Sequence, residues 1–159
     1  MQSIHQWLSE YGESHQNQTN KVIHWICVPL IFWSILALFA SIPANYLKAP
    51  FPADIQPYIH WGTVIIALAS IFYLRLSLLI FIGTLLFALI CLQLIYWVTL
   101  LSLPLWATAL IIFVAAWIGQ FIGHNIEGKK PSFFKDLQFL LIGPAWLLAF
   151  IYKRAGIKY

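Results

Sequence analysis

Charge is scarce in this sequence. Only 9% of its 159 residues are Asp, Glu, Lys or Arg, against about 25% in a soluble domain. That shortage excludes an ordinary water-soluble globule. Three stretches, residues 22–47, 55–74 and 76–123, hold no charged side chain at all. Cysteine is nearly missing: Cys27 and Cys91 both lie inside apolar runs with no CxxC pair, so buried free thiols are expected. The N-terminus lacks the basic and apolar regions of a cleavable signal, so the first apolar run is expected to act as its own insertion signal. No internal repeat stands out. The net charge of +4 rests on few residues. It reads as membrane topology, and no nucleic-acid partner is expected.

What is present is apolar. Hydrophobic residues make up 62% of the chain, and mean hydropathy is +0.83. A helical span needs about 20 apolar residues. The expectation is an all-α integral membrane protein, one domain over residues 1–159, with about four transmembrane helices. They are expected near residues 22–41, 57–74, 77–99 and 104–123. The third uncharged stretch holds two of them, with "SLPLW" at 102–106 as the turn and Pro104 opening the fourth helix. A short helix is expected before the first span, to about Ser14. Residues 139–151 are apolar but reach only about 20 Å as a helix, short of the ~30 Å hydrocarbon core. They are expected to form an interfacial or re-entrant segment.

Four spans put Lys21, Arg75, Lys129, Lys130, Lys135, Lys153, Arg154 and Lys158 on one side and only Lys48 on the other. The positive-inside rule makes the crowded side cytoplasmic, in a bacterial inner membrane or, for a eukaryotic chain, the endoplasmic reticulum. Trp25, Trp61, Trp97 and Trp106 fall near span ends, as an aromatic belt does.

The same topology sorts the five histidines. His15, His24 and His124 fall in one cytoplasmic layer. His60 falls at the opposite end, and His5 in the terminal segment; both read as interfacial polar residues. His15 and His24 are nine residues apart, which is opposite faces on one unbroken helix. They converge only if the chain bends. "NQTN" at 17–20 supplies the bend, with Asn17 and Asn20 as turn or cap residues. On the fourth span, Gln120, His124 and Glu127 form a polar stripe at i, i+4, i+7. Gly123 allows close backbone approach, and Gly128 and Pro131 end the helix. Histidine and carboxylate at membrane depth are expensive without a purpose.

Two or three imidazoles with a carboxylate suit a non-haem Fe(II) or Zn(II) site. His15, His24 and His124 are the expected ligands. Glu127 is open to three readings: ligand, partner of an imidazole, or ion pair with Lys129 or Lys130. Gln120 is expected to hydrogen-bond beside the site. Tyr11 is either a hydroxyl at the site or a packed interfacial ring. The HxxxH and HxxHH boxes of di-iron membrane oxygenases are absent, so a single metal fits better. Its open positions would take O₂ and a bidentate substrate such as a 2-hydroxy acid. Lys129, Lys130 and Lys21 are placed to attract an acid headgroup, with positive-inside topology and contact with membrane lipids as their simpler role.

"YGESHQNQTNKVIHWICVP" and "IGQFIGHNIEGKKPS" resemble the two signature blocks of the fungal-type 2-hydroxy fatty acid dioxygenase family, small membrane proteins once known only as a domain of unknown function. The matching positions are Tyr11, His15, Asn20, His24 and Pro29, then the run 120–124, Glu127 and Pro131. The likeness extends to "YLRLS" at 73–77 and to Gly143-Pro144. It implies Fe(II)-dependent α-oxidation, in which a 2-hydroxy fatty acid and O₂ give the acid shorter by one carbon. It carries the histidines needed for activity onto His15, His24 and His124. On that basis Glu127, Gln120 and Tyr11 are candidate catalytic residues, and Lys129, Lys130 and Asn20 candidate substrate contacts. Zinc is an alternative occupant as purified. One departure is Phe150, which stands where many relatives carry a Glu. Two rival readings are a non-enzymatic lipid-binding or scaffold protein and a zinc-dependent lipid hydrolase with Glu127 as general base.

Overall fold

Helices alone make up the regular structure of the described residues, which are 3–128 and 139–159 of a computed structural model. Helix α1 runs Ile4–Gly12, α2 Gln18–Ala40, α3 Asn45–Lys48, α4 Trp61–Leu76, α5 Leu78–Thr99, α6 Leu105–Ile126 and α7 Ile142–Arg154. Three of them, α2, α5 and α6, are long and apolar enough to cross a membrane. The fourth apolar helix, α4, has 16 residues, about 24 Å. It starts at Trp61 because Pro57 belongs to a separate 3₁₀ turn, Gln56–Tyr58, and His60 takes extended backbone at the N-cap. The architecture is that of an all-α membrane protein. Val22, Ile26, Leu86, Ile90, Ile111 and Ile122 stand exposed on the long helices, a lining that suits lipid rather than water.

The connections are short where helices turn back. Ser77 alone separates α4 from α5, in extended backbone, and its hydroxyl caps α5 by accepting from Ile80 N–H. Pro104 sits at the N-cap of α6, where its missing N–H removes no helical bond. The terminal α1 ends at Gly12, two residues earlier than Ser14, and the chain turns over residues 13–17 before α2.

Helix α2 is the centre of the molecule, packed against α4, α5, α6 and α7. One apolar cluster gathers Trp33, Leu36, Ile66, Cys91, Ile95 and Ala109 from α2, α4, α5 and α6. A second joins Ile4, Tyr73, Ile80 and Ala145, holding α1 and α7 against α4 and α5. Two tyrosines fasten α7: the Tyr73 hydroxyl donates to the Leu141 carbonyl at 2.6 Å, and Tyr152 donates to the Leu79 carbonyl at 2.9 Å. The two cysteines are buried free thiols. Because α2 and α6 run antiparallel, the start of one and the end of the other meet at the same end of the bundle. There α1 and α7 close over them.

Candidate metal centre

The centre is built on the turn between α1 and α2. Asn17 is the N-cap of α2: its side-chain oxygen accepts from Thr19 N–H at 2.9 Å and from Asn20 N–H at 3.4 Å. Only one of the two asparagines caps. Asn20 lies within the first helical turn and is fully buried. Its side-chain N–H₂ donates to the Ser14 carbonyl at 3.1 Å and to Glu127 Oε2 at 2.9 Å. Both partners are acceptors, which fixes the orientation of the amide. Asn20 therefore braces the turn.

The bend does bring His15 to His24. Their ring centroids are 4.2 Å apart, and His124 lies 5.5 Å from His15 and 5.0 Å from His24. All three residues are buried, and their Nε2 atoms are sealed from solvent. One ligand atom from each lies within 4.8 Å of the others. His15 Nδ1 is 2.6 Å from the Tyr11 carbonyl, and His24 Nδ1 is 2.9 Å from the Asn20 carbonyl. A carbonyl only accepts, so in both rings Nδ1 carries a proton, and in the neutral imidazole Nε2 is the nitrogen that keeps the lone pair. Tyr11 lies flat on His15, with centroids 4.1 Å apart and planes within 10°. Trp146 of α7 leans on both rings at 5.5 Å.

Two glycines let α6 come close enough. A Cβ on Gly123 would fall onto Asn20 Oδ1 and crowd His24 Cε1 at 3.4 Å. A Cβ on Gly119 would stand 2.6 Å from Cys27 Sγ. The pair forms a GxxxG step, the spacing that lets two membrane helices touch backbones. It faces Asn20, Ile23, His24 and Cys27 of α2, and so sets the distance from His24 to His124.

Glu127 is the C-cap of α6. Its two oxygens accept from the backbone N–H groups of Gln16 at 2.8 Å and Asn17 at 2.9 Å, and from Asn20. The carboxylate thus ties the end of α6 to the turn that carries His15. Partial desolvation favours the neutral acid, but the hydrogen bonds from Asn20, Asn17 and Gln16, with His15 nearby, outweigh it. They hold the carboxyl below its ordinary range. The cluster of ligand atoms within 4.8 Å comprises the three histidines and does not include Glu127.

The remaining candidates separate. Gln120 is buried and lines a small cavity of about 30 Å³ with Tyr11, Trp117 and Gly143. Lys129 and Lys130 lie outside the described residues. Lys21 lines a larger cavity beside His15, and so does Phe150. His60 is buried at the N-cap of α4, away from the other histidines, and His5 stacks loosely on Tyr159 at 5.9 Å. Sequence spacing gives no sign of Trp146, or of Asn20 and Glu127 acting on each other.

The donor set fits a metal. Two of the imidazoles have Nδ1 engaged by carbonyls and Nε2 buried, the arrangement by which outer partners orient metal-binding histidines. Three nitrogen ligands leave further coordination positions open, as catalytic sites require. Comparison with curated proteins and with solved structures gives no match. A family model described as 2-hydroxy-palmitic acid dioxygenase Mpo1-like matches residues 1–155, and the chain belongs to that family.

Proposed function

We propose that this chain is a membrane-embedded, Fe(II)-dependent dioxygenase that converts a 2-hydroxy fatty acid to the acid shorter by one carbon. The observation that carries the reading is the convergence of three buried histidines, from a turn and two antiparallel helices, with one ligand atom from each within 4.8 Å of the others. Bound there, Fe(II) would supply the redox chemistry by which O₂, taking four electrons, cleaves the C1–C2 bond, with C1 leaving as CO₂ and the remaining oxygen as water. The chain's own residues do the rest. His15, His24 and His124 hold the ion. The Tyr11 and Asn20 carbonyls fix the rings of His15 and His24. Glu127 keeps the turn docked on α6, and the Tyr11 and Trp146 rings screen the centre from water. Burial in an apolar bundle end keeps the charge of the ion from being dissipated by solvent.

The orientation belongs to the same reading. Lys21, Arg75, Lys153, Arg154 and Lys158 fall at the bundle end that holds the histidines when the four apolar helices all cross, with Lys48 at the other. That makes the metal end cytoplasmic. A membrane lipid acid would reach the centre without leaving the bilayer.

The test is metal content of the detergent-purified, anaerobically handled chain beside a His124→Ala variant, with turnover of 2-hydroxypalmitate under O₂. About one iron per chain, lost together with turnover in the variant, is expected. Zinc with O₂-independent hydrolysis would replace the reading by a lipid hydrolase. No metal after Fe(II) reconstitution would replace it by a lipid-binding or scaffold module.

A further inference from the structure

A cavity lies beside the histidines, with His15 on its wall. It holds about 540 Å³ between α1, the first turns of α2, and α7. Small-molecule sites typically measure about 300–1,000 Å³. Its polar lining includes His15, Gln16, Lys21 and Lys153; its apolar lining includes Trp25 and Phe150. Among the described residues around it, which include Tyr159, the charged side chains are the two lysines, and none is Asp or Glu. A second cavity, of about 160 Å³, shares Trp25 with the first and is walled by Val28, Pro29, Phe87, Leu148 and Ile151. Among the described residues lining it, none is charged and none offers a polar side chain other than the Trp25 indole. Trp25 and Phe150 meet edge to face at 5.5 Å, next to the junction. The lining therefore changes along α2, from Lys21 through Trp25 to Val28 and Pro29, from cationic to apolar, while the two cavities take different faces of α7.

We propose that these two cavities form one seat for a single-chain fatty carboxylate, its headgroup between Lys21 and Lys153 beside His15 and its hydrocarbon chain passing Trp25 into the apolar cavity between α2, α5 and α7. This rests on the dioxygenase reading for the identity of the acid. The charge gradient orients the ligand. A carboxylate gains charge-assisted hydrogen bonds at the lysine end and would be left unpaired at the other, so the reacting carbons come to lie beside His15. The narrow volume beyond Trp25 suits one acyl chain and not the two of a membrane phospholipid. Ile151, exposed on α7, then lies along the distal part of the chain and helps set the length accepted.

Binding is tested apart from chemistry. Radiolabelled palmitate, its methyl ester and octanoate are equilibrated with the full chain in an uncharged detergent, before and after chelation of metal. In the double variant Lys21→Gln/Lys153→Gln the Kd for palmitate is expected to rise about tenfold and approach that of the ester, whose own Kd stays put. Arg154→Gln, which removes a cation outside the cavity, is expected to change neither. Ile151→Trp is expected to weaken palmitate severalfold more than octanoate. An unchanged palmitate Kd in the double variant overturns the seat. So does an equal effect from Arg154→Gln, or phosphatidylglycerol competing as well as palmitate. The binding pattern without iron or turnover would keep the seat and remove the dioxygenase. Turnover with an unaltered KM in the double variant would do the reverse.

Discussion

Gly123 of α6 lies so close to Asn20 of α2 that a methyl group on the glycine would clash with the asparagine's Oδ1. The contact sets the spacing between the two helices that carry His24 and His124. Gly123→Ala must therefore push the helices apart or dislodge Asn20. A loss of about 1–3 kcal/mol is expected, as for other overpacked cores, with a matching drop in bound metal. Thermal unfolding and metal analysis of the same sample check it.

Gly119 offers the control for that argument. There the colliding atom would be Cys27 Sγ at 2.6 Å, a side chain with no hydrogen-bonding duty in the site. Gly119→Ala is expected to destabilise by a similar amount, and the added change Cys27→Ala to restore most of it by making room. No such rescue exists at Gly123, because Asn20 is itself needed. Melting temperatures of the two single variants and the double variant give the coupling directly.

The Tyr11 ring lies flat on the His15 imidazole, and both are buried. Tyr11→Phe keeps the ring and is expected to retain metal, with stability within about 1 kcal/mol of the parent. Tyr11→Ala removes the ring and is expected to cost about 3–5 kcal/mol, as for other buried aromatic truncations, and to release the metal as His15 loses its support. If Tyr11→Phe retains metal but loses turnover of 2-hydroxypalmitate, the hydroxyl takes part in chemistry. Full turnover would leave Tyr11 as a packing residue.

Glu127 carries a pH dependence. Its folded carboxyl titrates below the ordinary range because the hydrogen bonds from Asn20, Asn17 and Gln16 outweigh desolvation. A depressed carboxyl contributes stability that is fully present above its unfolded pKa and disappears as pH falls through the folded one. Parent and Glu127→Gln are therefore expected to differ by a constant amount from neutral pH down to the ordinary carboxylate range. The gap should close only at more acid pH. Unfolding measured across that range in both proteins decides it. A gap that closes nearer neutrality would contradict the hydrogen-bonded carboxylate.

Periodicity and charge made the helical bundle legible. The nine-residue spacing of His15 and His24 demanded a bend that the structure contains. The Asn-rich turn was visible as a turn, but the roles of its two asparagines were not. Either can cap a helix, and only the extended backbone at Asn17, with ψ of 132°, separates cap from first turn. Glu127 was visible as a polar residue one turn from His124. Its hydrogen bonds cross more than 100 residues of sequence, and no local pattern reports where a helix end docks. Trp146 was invisible for the same reason. It reaches His15 because α7 is packed and hydrogen-bonded across the bundle, through Ala145, Tyr73 and Tyr152.

Asn20→Asp tests the brace with almost no change in shape. The Asn20 side-chain N–H₂ donates to the Ser14 carbonyl and to the Glu127 carboxylate. An aspartate would replace both donors by an acceptor and set a second negative charge against Glu127 inside a fully buried position. Removing one partner from a buried polar pair is more harmful than removing both, and an unpaired buried charge costs about 3–5 kcal/mol. Asn20→Asp is thus expected to be worse than Asn20→Ala, although alanine deletes more atoms. Lowering the pH should narrow the difference, since a protonated Asp regains one O–H donor for Glu127 or Ser14. Metal content should follow the same order: parent highest, Asn20→Ala reduced, Asn20→Asp lowest at neutral pH. If the aspartate variant proved as stable as the parent, Asn20 would not be the brace between the His15 turn and α6.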